Sequence, residues 1–196
     1  MNRRDLLRNT AIVIGGSLLG ADELVARNIN WEPLENPDWE EKGIGIFSKA
    51  QVRYLNEIAD TIIPDTDTPG ARAAKVGQFI ALIVSDCYDT EYQKRFLDGM
   101  LKLDEECKGR YGKPFMKCPK HLKHDHLVEL DSEQKAYYQV KTKAAPHHYF
   151  RVLKDLVIWG YFSSEIGATK ALRFVEIPGK YTTINYKRGD RAWGGY

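Results

Sequence analysis

The sequence predicts an all-α protein. It reads as a single helical domain of about five helices, with an extended C-terminal arm and an N-terminal signal segment. Three observations carry this reading. Apolar residues recur at intervals of three and four over long stretches. Period-2 alternation, the mark of a half-buried strand, is nearly absent. Capping residues, prolines and glycines fall between the periodic stretches, where helices should start and stop. Of the 196 residues, 43% are hydrophobic. Without a leader about 170 remain, enough for one domain with a real core.

Each element has its own signal. Residues 27–47 are rich in Asn, Pro, Trp and Gly and form a linker that carries Trp31 and Trp39. Ser48 starts the first helix, and Gln51 stands at capping-box spacing. Val52, Leu55, Ile58, Ala59 and Ile62 then share one face, and Pro64 ends the helix. After a loop at 64–70, a largely apolar helix spans 76–88 and is expected at the centre of the domain. Thr90 is expected to cap a third helix reaching Tyr111, with Phe96, Leu97, Met100, Leu103 and Cys107 inward. A short helix follows at 119–130, and Asp131 opens another through Val140. The longest apolar helix is expected over 148–172, with Phe150, Leu153, Leu156, Val157, Tyr161 and Phe162 on its apolar side. Residues 174–196 hold few helix formers and read as an extended arm.

The first residues are an address rather than part of the fold. Arg3 and Arg4 precede a polar residue, the pair Leu6 and Leu7, and Arg8. A mildly apolar, glycine-containing run follows. This is the pattern of a bacterial twin-arginine export signal, which delivers folded proteins to the periplasm. The ten residues 11–20 would cover only about 15 Å as a helix, too little to span a bilayer. Ala21 and Ala26 offer no clean Ala-x-Ala cleavage site. Membrane association would therefore come from an uncleaved signal or through a complex. The resulting division is 1–26 signal, 27–47 linker and 48–196 helical domain, with the arm at 174–196.

Charge and motifs exclude several function classes. There are 29 basic and 27 acidic residues, a balance that argues against a nucleic-acid binder. Three cysteines, Cys87, Cys107 and Cys118, form no CxxC pair and no CxxCH haem site. Cys107 and Cys118 lie either side of a turn, so a local disulfide is open to them, or both face a partner as free thiols. Cys87 reads as a buried small hydrophobe. His121, His124 and Asp125 share a helical spacing that suits zinc, but HExxH is missing. Asp65, Asp67 and Gly70 imitate the start of a calcium loop, yet Pro69 and Val76 stand where carboxylates should be. Ser163, Ser164 and Glu165 lack a GxSxG elbow, and no glycine-rich loop links a strand to a helix. Residue chemistry alone thus describes no enzyme, no catalytic residue and no cofactor site. The alternative is a free-standing periplasmic metal-dependent enzyme using the His121 region.

What remains is aromatic supply outside the helices. Trp31, Trp39, Tyr181, Tyr186, Trp193 and Tyr196 lie in the linker or the arm, where they either anchor a partner or wrap the chain's own core. The expected partner surface comprises Tyr161, Phe162, Glu165, Lys170, Tyr181, Trp193 and Tyr196. In that expectation Ser163, Ser164 and Gly167 let a foreign backbone approach, while Glu165 and Lys170 orient it.

Three stretches carry a resemblance: IADTIIPDTDTPGA at 58–71, GYFSSEIGATKAL at 160–172 and IPGKY at 177–181. In that order, behind a twin-arginine leader, they resemble the gluconate 2-dehydrogenase subunit 3 family over residues 1–20 and 48–195. The resemblance implies the non-catalytic small subunit of a periplasmic FAD-dependent sugar or sugar-acid dehydrogenase. Its large partner would be a flavoprotein of the glucose–methanol–choline type, holding the FAD. A cytochrome c subunit, with haem c, often carries electrons onward in such complexes. The small subunit would supply the export signal and support folding and maturation of the flavin subunit, which has none. Many relatives carry a cysteine shortly after the Pro-Gly-x-Tyr motif; here 182–186 read TTINY, which offers no covalent tie at that point.

Overall fold

The computed structural model describes residues 43–142, 145–177, 179, 183, 185 and 187–194. The signal segment, Trp31, Trp39, Tyr181, Tyr186 and Tyr196 lie outside the described residues. Five α-helices are described: α1 (Lys49–Ile62), α2 (Val76–Cys87), α3 (Thr90–Tyr111), α4 (Lys120–Val140) and α5 (Tyr149–Phe162). A 3-10 turn, Phe115–Lys117, joins α3 to α4, and a π-helical turn, Gly167–Ala171, follows α5. Among the described residues there is no strand, only two isolated bridges, Ile44 with Phe47 and Arg173 with Trp193. The protein is all-α, as its sequence predicts.

The helix starts follow local chemistry. Ser48 and Gln51 form the expected capping box: the Gln51 amide donates to the Ser48 side chain, and the Ser48 amide donates to Gln51 Oε1 at 2.8 Å. Asp89, rather than Thr90, caps α3, because its carboxylate accepts the Tyr92 amide at 2.8 Å. An ionised cap suits the positive end of the helix dipole better than a hydroxyl. Gly112 ends α3 in the left-handed conformation, φ 68°, where a Cβ would be strained.

Two expected boundaries differ. The helices expected at 119–130 and 131–140 are one helix, α4. Asp131 does not open a new helix because its carboxylate is engaged elsewhere, with Lys154 at 2.5 Å and Lys135 at 2.7 Å. The final long helix stops at Phe162, ten residues short of the expected end. There Ser163 donates its hydroxyl to the Trp159 carbonyl at 2.7 Å, and Ser164 donates to the Tyr161 carbonyl at 2.6 Å. Serines bonding back to the preceding turn compete with the helical ladder and close it off.

The core sits around α5. It packs on α1, α2, α3 and α4, burying Phe150, Leu153, Leu156, Val157 and Tyr161. Helix α2, expected at the centre, packs on α1 and α5 through one face, where Val76, Ile80, Ala81 and Val84 are fully buried, and leaves Leu82 half exposed on the other. Cys87, expected in the core, is exposed at its last turn. Lys123 is buried and donates to Glu57 at 2.6 Å, and Arg72 reaches the other Glu57 oxygen at the same distance. Burial opposes the Glu57 charge, but these two cations outweigh it and hold the carboxyl below its ordinary range.

Asp131 ties α4 to α5 in the same way. Burial raises its pKa, yet hydrogen bonds from Lys135, Lys154 and Gln134 bring it down to about 2. Its folded pKa is below the unfolded value, so the tie is fully present above about pH 4 and is lost as pH falls through about 2. Asp131→Asn should therefore lower stability by about 1 kcal/mol at neutral pH, after solvent screening, and by progressively less as pH falls through the folded pKa. Urea midpoints measured across that range check the convergence.

Candidate protein interface

Helix α5 has a second face. Opposite its buried side chains, Ile158, Trp159 and Phe162 are 39%, 53% and 40% exposed. Their spacing of three and four residues gathers them on one side. The Trp159 ring stands edge-on to Phe79 of α2, with centroids 5.1 Å apart. Gly160 makes room for that ring: a Cβ there would lie 2.5 Å from Phe79 Cδ1. Leu82 follows Phe79 by one turn of α2, so an apolar surface runs across both helices. Beside it a cleft of about 320 Å³ is lined by Tyr88, Tyr92, His147, Arg151, Asp155 and Trp159, among others. Arg151 donates to Asp155 at 2.7 Å, so the charges of the cleft are internally matched.

The arm adds a second exposed stretch. Phe174, Val175 and Ile177 are exposed, as is Trp193. Arg173 organises the return of the chain. Its amide donates to the Ala192 carbonyl, and its carbonyl accepts from Gly194, both at 2.8 Å. Its guanidinium lies 3.2 Å from Asp190 and over the Trp193 ring. Trp193 is thus held at the surface by a cation–π contact rather than drawn into the core. Large apolar side chains on adjoining helix faces and on a tethered arm are the chemistry of a protein–protein contact.

A family model described as gluconate 2-dehydrogenase subunit 3 matches residues 49–179, from the first residue of α1 into the arm. The chain belongs to the gluconate 2-dehydrogenase subunit 3 family. No curated protein and no solved structure matches it. As a subunit by family, this gluconate 2-dehydrogenase subunit 3 protein has partner subunits, which its exposed apolar faces suit.

The expected interface residues divide. Phe162, Glu165, Lys170 and Trp193 are exposed. Tyr161 is not: it is 2% exposed, and its hydroxyl donates to the Pro69 carbonyl at 2.8 Å. It bolts α5 to the 64–70 loop, so two motifs of the subunit 3 family meet through one hydrogen bond. Tyr181 and Tyr196 lie outside the described residues, as do Arg3, Arg4, Leu6 and Leu7. Ile158, Trp159 and Leu82 were missing from the expected surface. For Ile158 and Trp159 the signal was present in their i+4 and i+3 spacing to Phe162 on the reverse of α5, but apolar residues on both sides of a helix mask it.

The residues considered for chemistry are spent on structure or face solvent. His121, His124 and Asp125 are exposed on the first turns of α4. Among the described residues no three His, Cys, Asp or Glu side chains gather as metal ligands. The buried histidine is His126, whose Nε2 lies 3.1 Å from the Leu103 carbonyl. Burial lowers its pKa, which favours the neutral ring with Nε2 donating. The Ser163 and Ser164 hydroxyls are taken by backbone carbonyls. Cys107 and Cys118 are both buried, free thiols with sulfurs 3.5 Å apart.

Proposed function

We propose that this chain is the non-catalytic small subunit of a periplasmic FAD-dependent sugar or sugar-acid dehydrogenase. It binds a flavoprotein of the glucose–methanol–choline type across the α2–α5 face and the arm. The FAD sits on that partner, haem c on a cytochrome c subunit where one is present, and no cofactor on this chain. The chain carries the twin-arginine signal, takes the flavoprotein with it and supports its folding and maturation. The observation that carries the reading is the exposed Trp159 and Phe162 face on a chain of this subunit family. A ring propped outward by a second ring from α2 is poorly placed to join its own core and well placed to fill a partner's pocket.

Export is tested at its own residues. Replacing Arg3 and Arg4 together with lysine keeps the charge but removes the twin-arginine pattern. The expected result is retention of this chain and the flavoprotein in the cytoplasm, with dehydrogenase activity lost from the periplasmic fraction. Undiminished periplasmic activity in the double variant would show that another signal carries the complex.

A further inference from the structure

We propose that Cys107 and Cys118 are an oxidisable pair that closes into an intramolecular disulfide. It would staple the corner between α3 and α4. The sulfurs are 3.5 Å apart, in contact but not bonded. A disulfide needs about 2.05 Å, so closure requires the sulfurs to approach by about 1.5 Å.

The backbone brings the two together without help from the sulfurs. Cys107 lies on the last turns of α3, and Gly112 turns the chain back in its left-handed conformation. Asp104, one turn before Cys107, accepts the Phe115 amide at 2.8 Å and pins the 3-10 turn beneath α3. Phe115 is fully buried and anchors that turn. Cys118 follows as its cap, its amide donating to the Phe115 carbonyl. Besides Cys107, the Cys118 sulfur has a weak contact, 3.6 Å, with the Lys113 carbonyl. No strong hydrogen bond has to be broken for the bond to form. Cys87 is excluded by place: it is exposed at the end of α2.

The chemistry is thiol–disulfide exchange with a disulfide oxidant, such as a thiol oxidase of the periplasm or glutathione disulfide. Two cysteine thiols lose two protons and two electrons and form one S–S bond. The oxidant's own S–S bond breaks and takes them up as two thiols. The attacking species is a thiolate. Burial, and then the hydrogen bond with Cys118, push Cys107 up to about 12, so Cys107 attacks slowly in the folded, reduced chain. Oxidation belongs to folding, or to a local opening of the corner. Once formed, the buried bond is shielded from reductants for the same reason.

The test uses the purified full chain, so it stands or falls independently of export and of any partner. Denatured, reduced protein is refolded in a glutathione redox buffer, quenched, denatured again and alkylated without reductant. The expected product carries a label on Cys87 alone, lacks two hydrogens, and yields a peptide joining Cys107 to Cys118. Three labels, or a bond that involves Cys87, would overturn the proposal. Thermal unfolding gives a second reading. Reductant should lower the midpoint of the oxidised chain by about 5–10 °C, since a short loop is released in the unfolded state. It should leave Cys118→Ala unmoved. Equal shifts in both proteins would overturn the stapling role.

Discussion

Replacing Trp159 and Phe162 together with glutamate should abolish assembly with the flavoprotein while leaving a folded small subunit. Both side chains are about half exposed, so little of their surface belongs to the core. The folded state loses the edge-on contact of Trp159 with Phe79 and that of Phe162 with Tyr161. Such ring pairs contribute about 0.5–1.5 kcal/mol each. Aromatic anchors at an interface contribute about 2 kcal/mol or more each, and burying a new carboxylate adds to the loss. Binding should therefore weaken by more than about 100-fold, against a modest drop in stability. Co-purification with the flavoprotein and circular dichroism of the isolated chain separate the two. Leu82→Glu is the gentler companion, since Leu82 is half exposed on α2. If both variants bind the flavoprotein as tightly as the parent chain, the α2–α5 face is not the interface.

Most of the fold was legible because its signals are local. The capping box at Ser48 and the breaker at Pro64 each act within a few residues, and each sets a boundary where expected. At Asp131 and Tyr161 the reading failed because the deciding partner is distant in sequence. Asp131 has the look of a helix cap, but Lys154, on another helix, claims its carboxylate. Tyr161 reads as part of the partner surface on the apolar side of a long helix, but the Pro69 carbonyl, 92 residues away, fixes it inside. Cys87 ends an apolar stretch, yet its place as the last residue of α2 leaves it exposed. The candidate surface was legible only in part for the same reason. Periodicity shows that α5 is apolar on both sides; only packing shows which side α1, α3 and α4 cover.

The small residues of the 160–172 motif are used by this chain itself, and Gly167→Val should consequently destabilise it severely. The expectation for Ser163, Ser164 and Gly167 is close approach by a foreign backbone. The structure fills the space from within. Phe79 occupies the room left by Gly160. At Gly167 a Cβ would lie 1.9 Å from the Tyr161 carbonyl oxygen and 3.0 Å from the Phe162 Cα. These are backbone atoms at the end of α5 and cannot rotate away. The turn is also tied by hydrogen bonds: the Gly167 amide donates to Ser164 Oγ at 3.0 Å, and that hydroxyl donates to the Tyr161 carbonyl. A β-branched side chain must push the turn off α5 and break this pair. Overpacking of this kind costs about 1–3 kcal/mol, and the lost hydrogen bonds raise the total to about 3–5 kcal/mol. For a domain of this size that is a fall of roughly 10 °C in the unfolding midpoint. Ser164→Ala should cost about 1 kcal/mol, because it removes the hydroxyl but adds no bulk. The contrast decides what the motif is for. If Gly167→Val folds normally and only loses the flavoprotein, the glycine serves the partner's approach; if it melts early in isolation, the motif builds the turn that presents Phe162 and the arm.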